Sequence, residues 1–229
     1  MADICAMQIL IAAATTFEIA PTVEWLKKNA SPDRTDVLIT GVGLMPAAYQ
    51  FTRVLRTDKP GLVIQAGIAG TFSKGKHGEV VAIEKDRVAD SGVEESGLFK
   101  SIFDLQLADP GAFPYTDGWL VNQHRHWLQL SGLQITDAIT VNEISTSEAR
   151  MAAWQQSFHP FVESMEGAAL HFCCLMESVP FIQIRSVSNT VGERDKSKWK
   201  ISLAVSTLND ALISFLQKIN SEHGVETGI

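Results

Sequence analysis

Short apolar runs, each followed by a stretch with helical spacing, constrain this chain more tightly than any other feature. Met7–Ala14 (MQILIAAA), Asp36–Gly43 (DVLITGVG) and Gly61–Gly67 (GLVIQAG) have strand length, and the helix-compatible stretches Phe17–Asn29 and Met45–Thr57 lie between them. A further run, Glu79–Asp90 (EVVAIEKDRVAD), follows. The C-terminal part repeats the alternation: Phe161–Ser164 (FVES) precedes a helical stretch at 166–177, and Phe181–Asn189 (FIQIRSVSN) precedes another at 202–219. Such a chain buries its strands in a largely parallel sheet with helices on both faces. The expected fold is therefore α/β, a three-layer αβα sandwich.

In the last helical stretch Ile201, Val205, Leu208, Leu212, Phe215 and Ile219 recur at steps of four and three, an apolar stripe that predicts a helix covering the sheet. The segment from Asp90 to Gly132 is different, rich in Gly, Pro, Asp and Ser with no sustained period. It predicts loops, and with them substrate-specific walls. The chain shows neither internal repeats nor low-complexity tracts, and its 229 residues at 45% hydrophobic content fit one domain over 1–229.

The formal net charge of −7 argues against a nucleic-acid partner or an anionic membrane surface and for a small-molecule partner. No stretch approaches the roughly 20 apolar residues that span a bilayer, so no membrane partner is expected. Asp3 stands where a secretory leader carries basic residues, and Met7–Ala14 reads as a first strand. Cys5, Cys173 and Cys174 are odd in number and lack metal-ligand spacing. They read as reduced core thiols of a cytoplasmic protein, with no metal site.

Several polar residues sit where strands end, the edge at which open α/β sheets place their ligands. Gly41 and Gly43 in TGVGLMPAA follow a strand and open a helix like a dinucleotide fingerprint, but Pro46 occupies the third glycine's place and the ribose-binding acid is missing. Gly67 and Gly70 in QAGIAG end another strand. Thr15-Thr16-Phe17-Glu18 reads locally as a capping box, the competing reading being a catalytic carboxylate at the end of the first strand. Arg185, Ser188 and Asn189 close the strand IRSVSN, and a strand-end Asn is commonly a turn residue. Glu166, in SMEGAALHF, is a carboxylate at the start of an otherwise apolar helix.

Taken in order, AATTFE, TGVGLMPAA, AGIAG, SMEGAA and IRSVSN resemble the nucleoside phosphorylase and nucleosidase family over nearly the whole chain. The resemblance implies that family's fold with a twisted, mixed central sheet, a purine nucleoside substrate, a homo-oligomer, and neither metal nor organic cofactor. It implies that Met165 packs on the ribose while Glu166 accepts hydrogen bonds from its hydroxyls, so that Glu166 is buried because a sugar diol needs an acceptor. It makes Glu18 the base that activates water, Arg185 the arginine near that water and glutamate, and Asn189 the reader of purine N7 and the 6-substituent. Ile68, Gly70 and Ser188 are the further substrate-binding residues expected around the pocket.

Phosphorolytic members of the family carry an Arg and a Ser or Thr around the second glycine stretch, where this chain has Gln65 and Ile68. A phosphate dianion would be poorly held there, so water is the expected nucleophile. Ile68 also differs from the Ser of familiar nucleosidases. Asn at 189 offers a donor to O6 and an acceptor to protonated N7, so a 6-oxopurine is the expected base. The stretches Ala89–Glu94 (ADSGVE) and Val191–Ile201 (VGERDKSKWKI) join this pattern. Arg53, Arg125, Arg194 and Lys198 are candidates by charge for the far end of a substrate, and Trp199 is a candidate wall. The competing readings are a 6-aminopurine nucleosidase, a phosphorylase of the same fold, and a noncatalytic nucleoside-binding sensor, which would have no need of Glu18 as a base.

Overall fold

The computed structural model describes residues 7–29 and 35–225, with side chains through residue 222; Asp3 and Cys5 lie outside the described residues. Along the chain run β1 (Ile9–Ala13), α1 (Thr16–Lys28), β2 (Thr35–Ile39), α2 (Leu44–Thr57), β3 (Leu62–Thr71), β4 (Val80–Asp86), β5 (Gly92–Glu95), β6 (Leu98–Ser101) and β7 (Leu120–Val121). Then follow α3 (Arg125–Ser131), β8 (Gln134–Thr140), α4 (Glu148–Phe158), β9 (Val162–Ser164), α5 (Gly167–Glu177), β10 (Phe181–Thr190) and α6 (Ile201–Val225).

The main sheet is mixed. Strands β1 and β2, β1 and β3, β3 and β10, β4 and β8, and β8 and β9 pair in parallel. Strand β3 with β9, β4 with β10 and β4 with β7 pair antiparallel. Because β10 bonds to both β3 and β4, the strands β3, β9, β8, β4 and β10 close into a ring, with β1 and β2 extending from β3 as an open wing.

Strand alternation divides the core. Ile9, Ile11, Ile64, Ile182 and Ile184 meet Ile19 of α1 and Leu208, Leu212, Phe215 and Ile219 of α6. Leu10, Ala12 and Val63 meet Phe51 and Leu55 of α2 and Leu170, Cys173 and Cys174 of α5 on the opposite face. The two faces form the expected three layers, and the apolar stripe of α6 lies against the sheet. Cys173 and Cys174 are buried free thiols, and burial pushes both thiol pKa values up. Among the described residues no helix is long and apolar enough to cross a membrane.

The segment from Asp90 to Gly132 is more regular than its composition predicts. It holds a two-stranded hairpin of β5 and β6, the short strand β7 and helix α3. The hairpin turn is Ser96-Gly97, both at positive φ (52° and 78°), a two-residue turn chemistry that the sequence carries openly. Tyr115 from this segment packs against Phe103 and against Phe172 of α5, whereas α3 at its end packs with Leu128 against α6 on the opposite face.

Beneath the start of α5 is a polar cluster with no exposure. Asp86 Oδ1 accepts from Thr140 Oγ1 at 2.9 Å, and the same hydroxyl oxygen accepts from the Ala168 amide at 2.8 Å, which supports the first turn of α5. A Cβ at Gly167 would collide with Asp86 Oδ2 and Gln183 Nε2, so only glycine lets the helix sit this close. His171 donates Nδ1–H to the Leu120 carbonyl at 2.9 Å, and burial holds its pKa down at about 4, so the ring is neutral.

Burial pushes the Asp86 carboxyl up to about 6, against the pull of the Thr140 hydroxyl and the Arg185 charge. A folded-state pKa above the unfolded value means that the contribution of this group is complete below about 4 and is lost as pH rises through about 6. Ionised Asp86 therefore destabilises the fold at neutral pH, by up to about 3 kcal/mol. Asp86→Asn should raise the melting temperature relative to wild type by several degrees at pH 8, with the difference shrinking toward pH 4.5. Thermal melts at the two pH values check this; a difference independent of pH would show that the carboxylate is not strained by its burial.

Candidate active site

Glu166 is the last residue before α5 and is only 6% exposed. Its Oε1 accepts from the Gly43 amide at 2.9 Å, and its Oε2 lies 3.8 Å from Arg185 Nη1. Gly43 has φ +97°, a conformation side chains other than hydrogen rarely adopt. The TGVG stretch thus turns a backbone N–H toward the Glu166 carboxylate.

Glu18 is 7% exposed and makes the contacts of a capping box while its carboxylate faces the cavity. Its Oε2 accepts from the Thr15 amide at 3.0 Å, as a capping box requires, and from the Thr15 hydroxyl at 2.9 Å. Its Oε1 accepts from the Ile68 amide on β3 at 3.1 Å, and the carboxylate lines the main cavity. The helix carrying it is held from behind. Pro21 lies inside α1, where it removes a helical hydrogen bond. One rung further on, the Asn209 carboxamide of α6 accepts from Thr22 N (3.0 Å) and donates to Glu18 O (2.8 Å), inserted between the two ends of the Thr22–Glu18 rung.

Arg185 is 1% exposed, lies under the cavity floor and does not line it. Its Nη2 donates to Gln65 Oε1 at 3.1 Å, so Gln65 is engaged within the protein. Gly67, its partner in the strand ladder, leaves the space that the guanidinium fills. On β10, Ser188 Oγ donates to Asn189 Oδ1 at 2.7 Å and also lies 3.2 Å from the Ala69 carbonyl; Asn189 Nδ2 donates to Thr190 O at 3.0 Å.

The cavity has a volume of about 380 Å³. It brings together Glu18, Ile68, Gly70, Met165, Glu166, Ser188 and Asn189, all expected from the sequence; of the expected site residues only Arg185 stands behind the wall. Trp199 lines it as well, with Nε1–H donated to Glu193 O at 2.9 Å. The sequence reading missed Ile144, Glu163 and Glu193 on the wall, and Asn209 behind it. Glu163, on β9, was two positions from Met165 and inside FVES, so strand alternation was the available signal. No residue of 90–132 lines the cavity, against expectation: Tyr115 packs on α5 and α3 on α6, and the walls come from residues 144 and 191–201.

The lining residues include the carboxylates Glu18, Glu163, Glu166 and Glu193 and no Lys, Arg or His. Burial raises the Glu163 pKa, while the Ser145 hydroxyl and amide, both donating to it, oppose that shift. Arg53 and Arg125 are engaged elsewhere, with Gln50 and Glu84, and Lys198 pairs with Glu193 of the cavity wall at 2.8 Å without lining the cavity itself. The Arg194 guanidinium lies 5.8 Å from the Trp199 ring centre.

The sequence profile described as Phosphorylase superfamily matches residues 34–217. A futalosine hydrolase of Streptomyces coelicolor is 31% identical over 189 residues, 79% of this chain and 78% of that protein. A 5'-methylthioadenosine/S-adenosylhomocysteine nucleosidase of Haemophilus influenzae is 30% identical over 185 residues, with 79% and 78% covered. The solved futalosine hydrolase of Helicobacter pylori superposes with a TM-score of 0.78 at 16% identity, covering 93% of this chain and 98% of that one, a likeness of fold.

The packing at Gly67 yields a test. A Cβ there would collide with Arg185 Nη1 and stand 3.2 Å from Glu18 Oε1. Gly67→Ala should cost about 1–3 kcal/mol of stability, because a fully buried guanidinium has nowhere to move. Gly111→Ala, where a Cβ meets nothing closer than 3.5 Å, should cost less than about 0.5 kcal/mol. Denaturant unfolding of both variants makes the comparison.

Proposed function

Since the chain belongs to the phosphorylase superfamily, we propose that its cavity binds a 6-oxopurine nucleoside and that its substrate is futalosine, cleaved to hypoxanthine and dehypoxanthine futalosine in menaquinone biosynthesis. The enzyme is a hydrolase of N-glycosyl bonds. The observation that carries the nucleophile is the lining itself, four carboxylates and no cation. A phosphate dianion finds no free cation there, since Arg185 is committed to Gln65 and Glu166 behind the wall and Lys198 to Glu193; a neutral water needs none, and a ribosyl cation developing in the transition state would be favoured.

In the proposed mechanism N7 takes up a proton from solvent water as the C1′–N9 bond breaks, leaving an oxocarbenium-like ribose and a neutral purine that departs with N7 protonated. Asn189 Oδ1 accepts from N7–H while Nδ2 donates to O6. The Ser188 hydroxyl takes one lone pair of Oδ1 and the Thr190 carbonyl one hydrogen of Nδ2, which leaves the second of each for the base. Water then adds at C1′ and gives its proton to Glu18, whose three donors hold it at the wall. Glu166 accepts from the ribose hydroxyls and Met165 packs on the sugar. Arg185 acts at one remove, holding Glu166 from beneath. Ile68 contributes its amide to Glu18, Ser188 orients Asn189, and Gly70 leaves the floor open. Arg194, beside Trp199, is the cation we place against the benzoate of the substrate. The competing reading is a nucleosidase of 6-aminopurines, favoured by the similarity to the Haemophilus protein; the amide at 189 argues against it, because a 6-amino group would face another donor.

Assays with futalosine, inosine and methylthioadenosine, with and without phosphate, test the reading. Futalosine should be cleaved fastest, in phosphate-free buffer, to a free reducing sugar. Strict phosphate dependence would reject hydrolysis, and a higher kcat/KM on methylthioadenosine would reject the 6-oxopurine.

Glu18 can be separated into its two roles, because a capping residue can be an amide while a base cannot. Glu18→Gln should keep the melting temperature within a few degrees and lower kcat by about 10²- to 10⁴-fold. A folded variant that retains its activity would leave Glu18 a helix cap alone.

A further inference from the structure

The segment 101–119 stands away from the main cavity but walls a second one, of about 340 Å³, which shares no lining residue with the first. It contains Arg87, the residue after β4, which is only 9% exposed. The guanidinium lies over the Phe158 ring, 3.9 Å from its centre, with the Trp119 and Phe103 ring centres at 5.2 and 6.0 Å. An aromatic ring thus covers a face of the group and leaves its N–H bonds, which lie in its plane, for polar partners. Among the described residues they have none: Nε is buried without a hydrogen bond, and the guanidinium forms no ion pair. A cation so far out of water, with its donors unused, is costly unless something in the cavity completes it.

The cavity is kept clear at this group. Gly118 has φ +74°, and a Cβ there would stand 3.6 Å from Arg87 Nη2 and 3.2 Å from the Phe103 ring, so glycine leaves the space beside that nitrogen open. Two exposed carboxylates, Asp104 and Asp117, line the same cavity. Burial lowers the Arg87 pKa and both carboxylates oppose that fall, yet neither forms an ion pair with it. Asp104 is held as an anion by the Ser101 hydroxyl at 2.7 Å and amide at 2.8 Å.

These charges select the class of ligand. A simple anion on Arg87 would face two carboxylates, and a simple cation between the carboxylates would face Arg87. A molecule that carries both signs a few bonds apart suits all three groups. We propose that this cavity is a second binding site, which takes a free α-amino acid with an apolar side chain. The carboxylate of the ligand pairs with the N–H fork of Arg87, its ammonium group turns toward Asp104 and Asp117, and its side chain lies among Trp119, Phe103 and Pro110. Arginine fits this task better than lysine, because the planar fork matches a carboxylate with two parallel hydrogen bonds. The volume is at the small end of the range for small-molecule sites, about 300–1,000 Å³.

Isothermal titration of the intact protein with L-phenylalanine, 3-phenylpropionate and phenethylamine tests this. Phenylalanine should bind with a Kd below about 1 mM. Each analogue lacks one of the two charged groups and should bind about 10- to 100-fold more weakly, the range for losing a charged hydrogen bond. Arg87→Lys keeps the charge but loses the fork, and should weaken phenylalanine at least about tenfold. Asp117→Asn, a change at an exposed position, should weaken phenylalanine about three- to tenfold and leave 3-phenylpropionate no weaker, since it removes an anion. If Arg87→Lys melts too low to titrate, Asp117→Asn alone decides. Equal affinity for phenylalanine and 3-phenylpropionate, affinity for phenylalanine unchanged by Asp117→Asn, or no binding of phenylalanine at about 10 mM overturns the site.

Discussion

A carboxylate taken out of water must find partners, and the site is arranged around how Glu166 finds them. Its two oxygens meet the Gly43 amide from the start of α2 and the Arg185 guanidinium from β10. Neither partner comes from the element that carries Glu166, so three separate parts of the chain are tied at one point. The arginine in turn fits because Gly67 has no side chain and because Gln65 accepts its other nitrogen. Such a pair adds little net stability once desolvation is counted, yet losing one partner would leave the other charged and dry. Its value lies in fixing geometry.

The closed part of the sheet gives that geometry its frame. Strand β3 pairs with β1, β9 and β10 and supplies the Ile68 amide to Glu18, the vacancy at Gly67 to Arg185 and the vacancy at Gly70 to the cavity floor. One strand therefore sets the spacing of Glu18, Arg185 and the cavity floor. Rigid elements hold such distances better than loops do. The wall residues from 191–201 belong to the connection between β10 and α6, where variation is tolerated more readily.

Much of this was legible in the sequence because burial in strands and helices leaves a periodic record. The alternation of elements and the stripe from Val205 to Ile219 correspond to the three layers and to α6 on the sheet. The strand-end residues Glu18, Met165, Glu166, Ser188 and Asn189 do share one cavity, as their order along the chain suggested. The segment from Asp90 to Gly132 misled, since composition was read there in place of the Ser96-Gly97 turn, and its lack of period was taken for proximity to substrate. Arg185, expected near the water and Glu18, stands behind the cavity wall next to Glu166. Gly43 and Asn209 were not legible as supports: a backbone amide leaves no trace in residue type, and a polar residue within an apolar helical stripe declares no partner 187 positions away.

That partner has a consequence for how the protein comes into being. Glu18 is near the beginning of the chain, while the carboxamide that holds its backbone belongs to the last helix. During synthesis at about 5–20 residues per second, the N-terminal strands and α1 are made roughly ten seconds or more before Asn209 emerges. Until α6 docks, the turn opened by Pro21 has lost its clamp and the carboxylate of Glu18 has no fixed backbone beneath it. The nascent chain can thus assemble most of its sheet while its reactive apparatus stays unset, and competence arrives with α6. The helix acts in this sense as a late latch, coupling the setting of a carboxylate on α1 to a carboxamide 191 positions downstream.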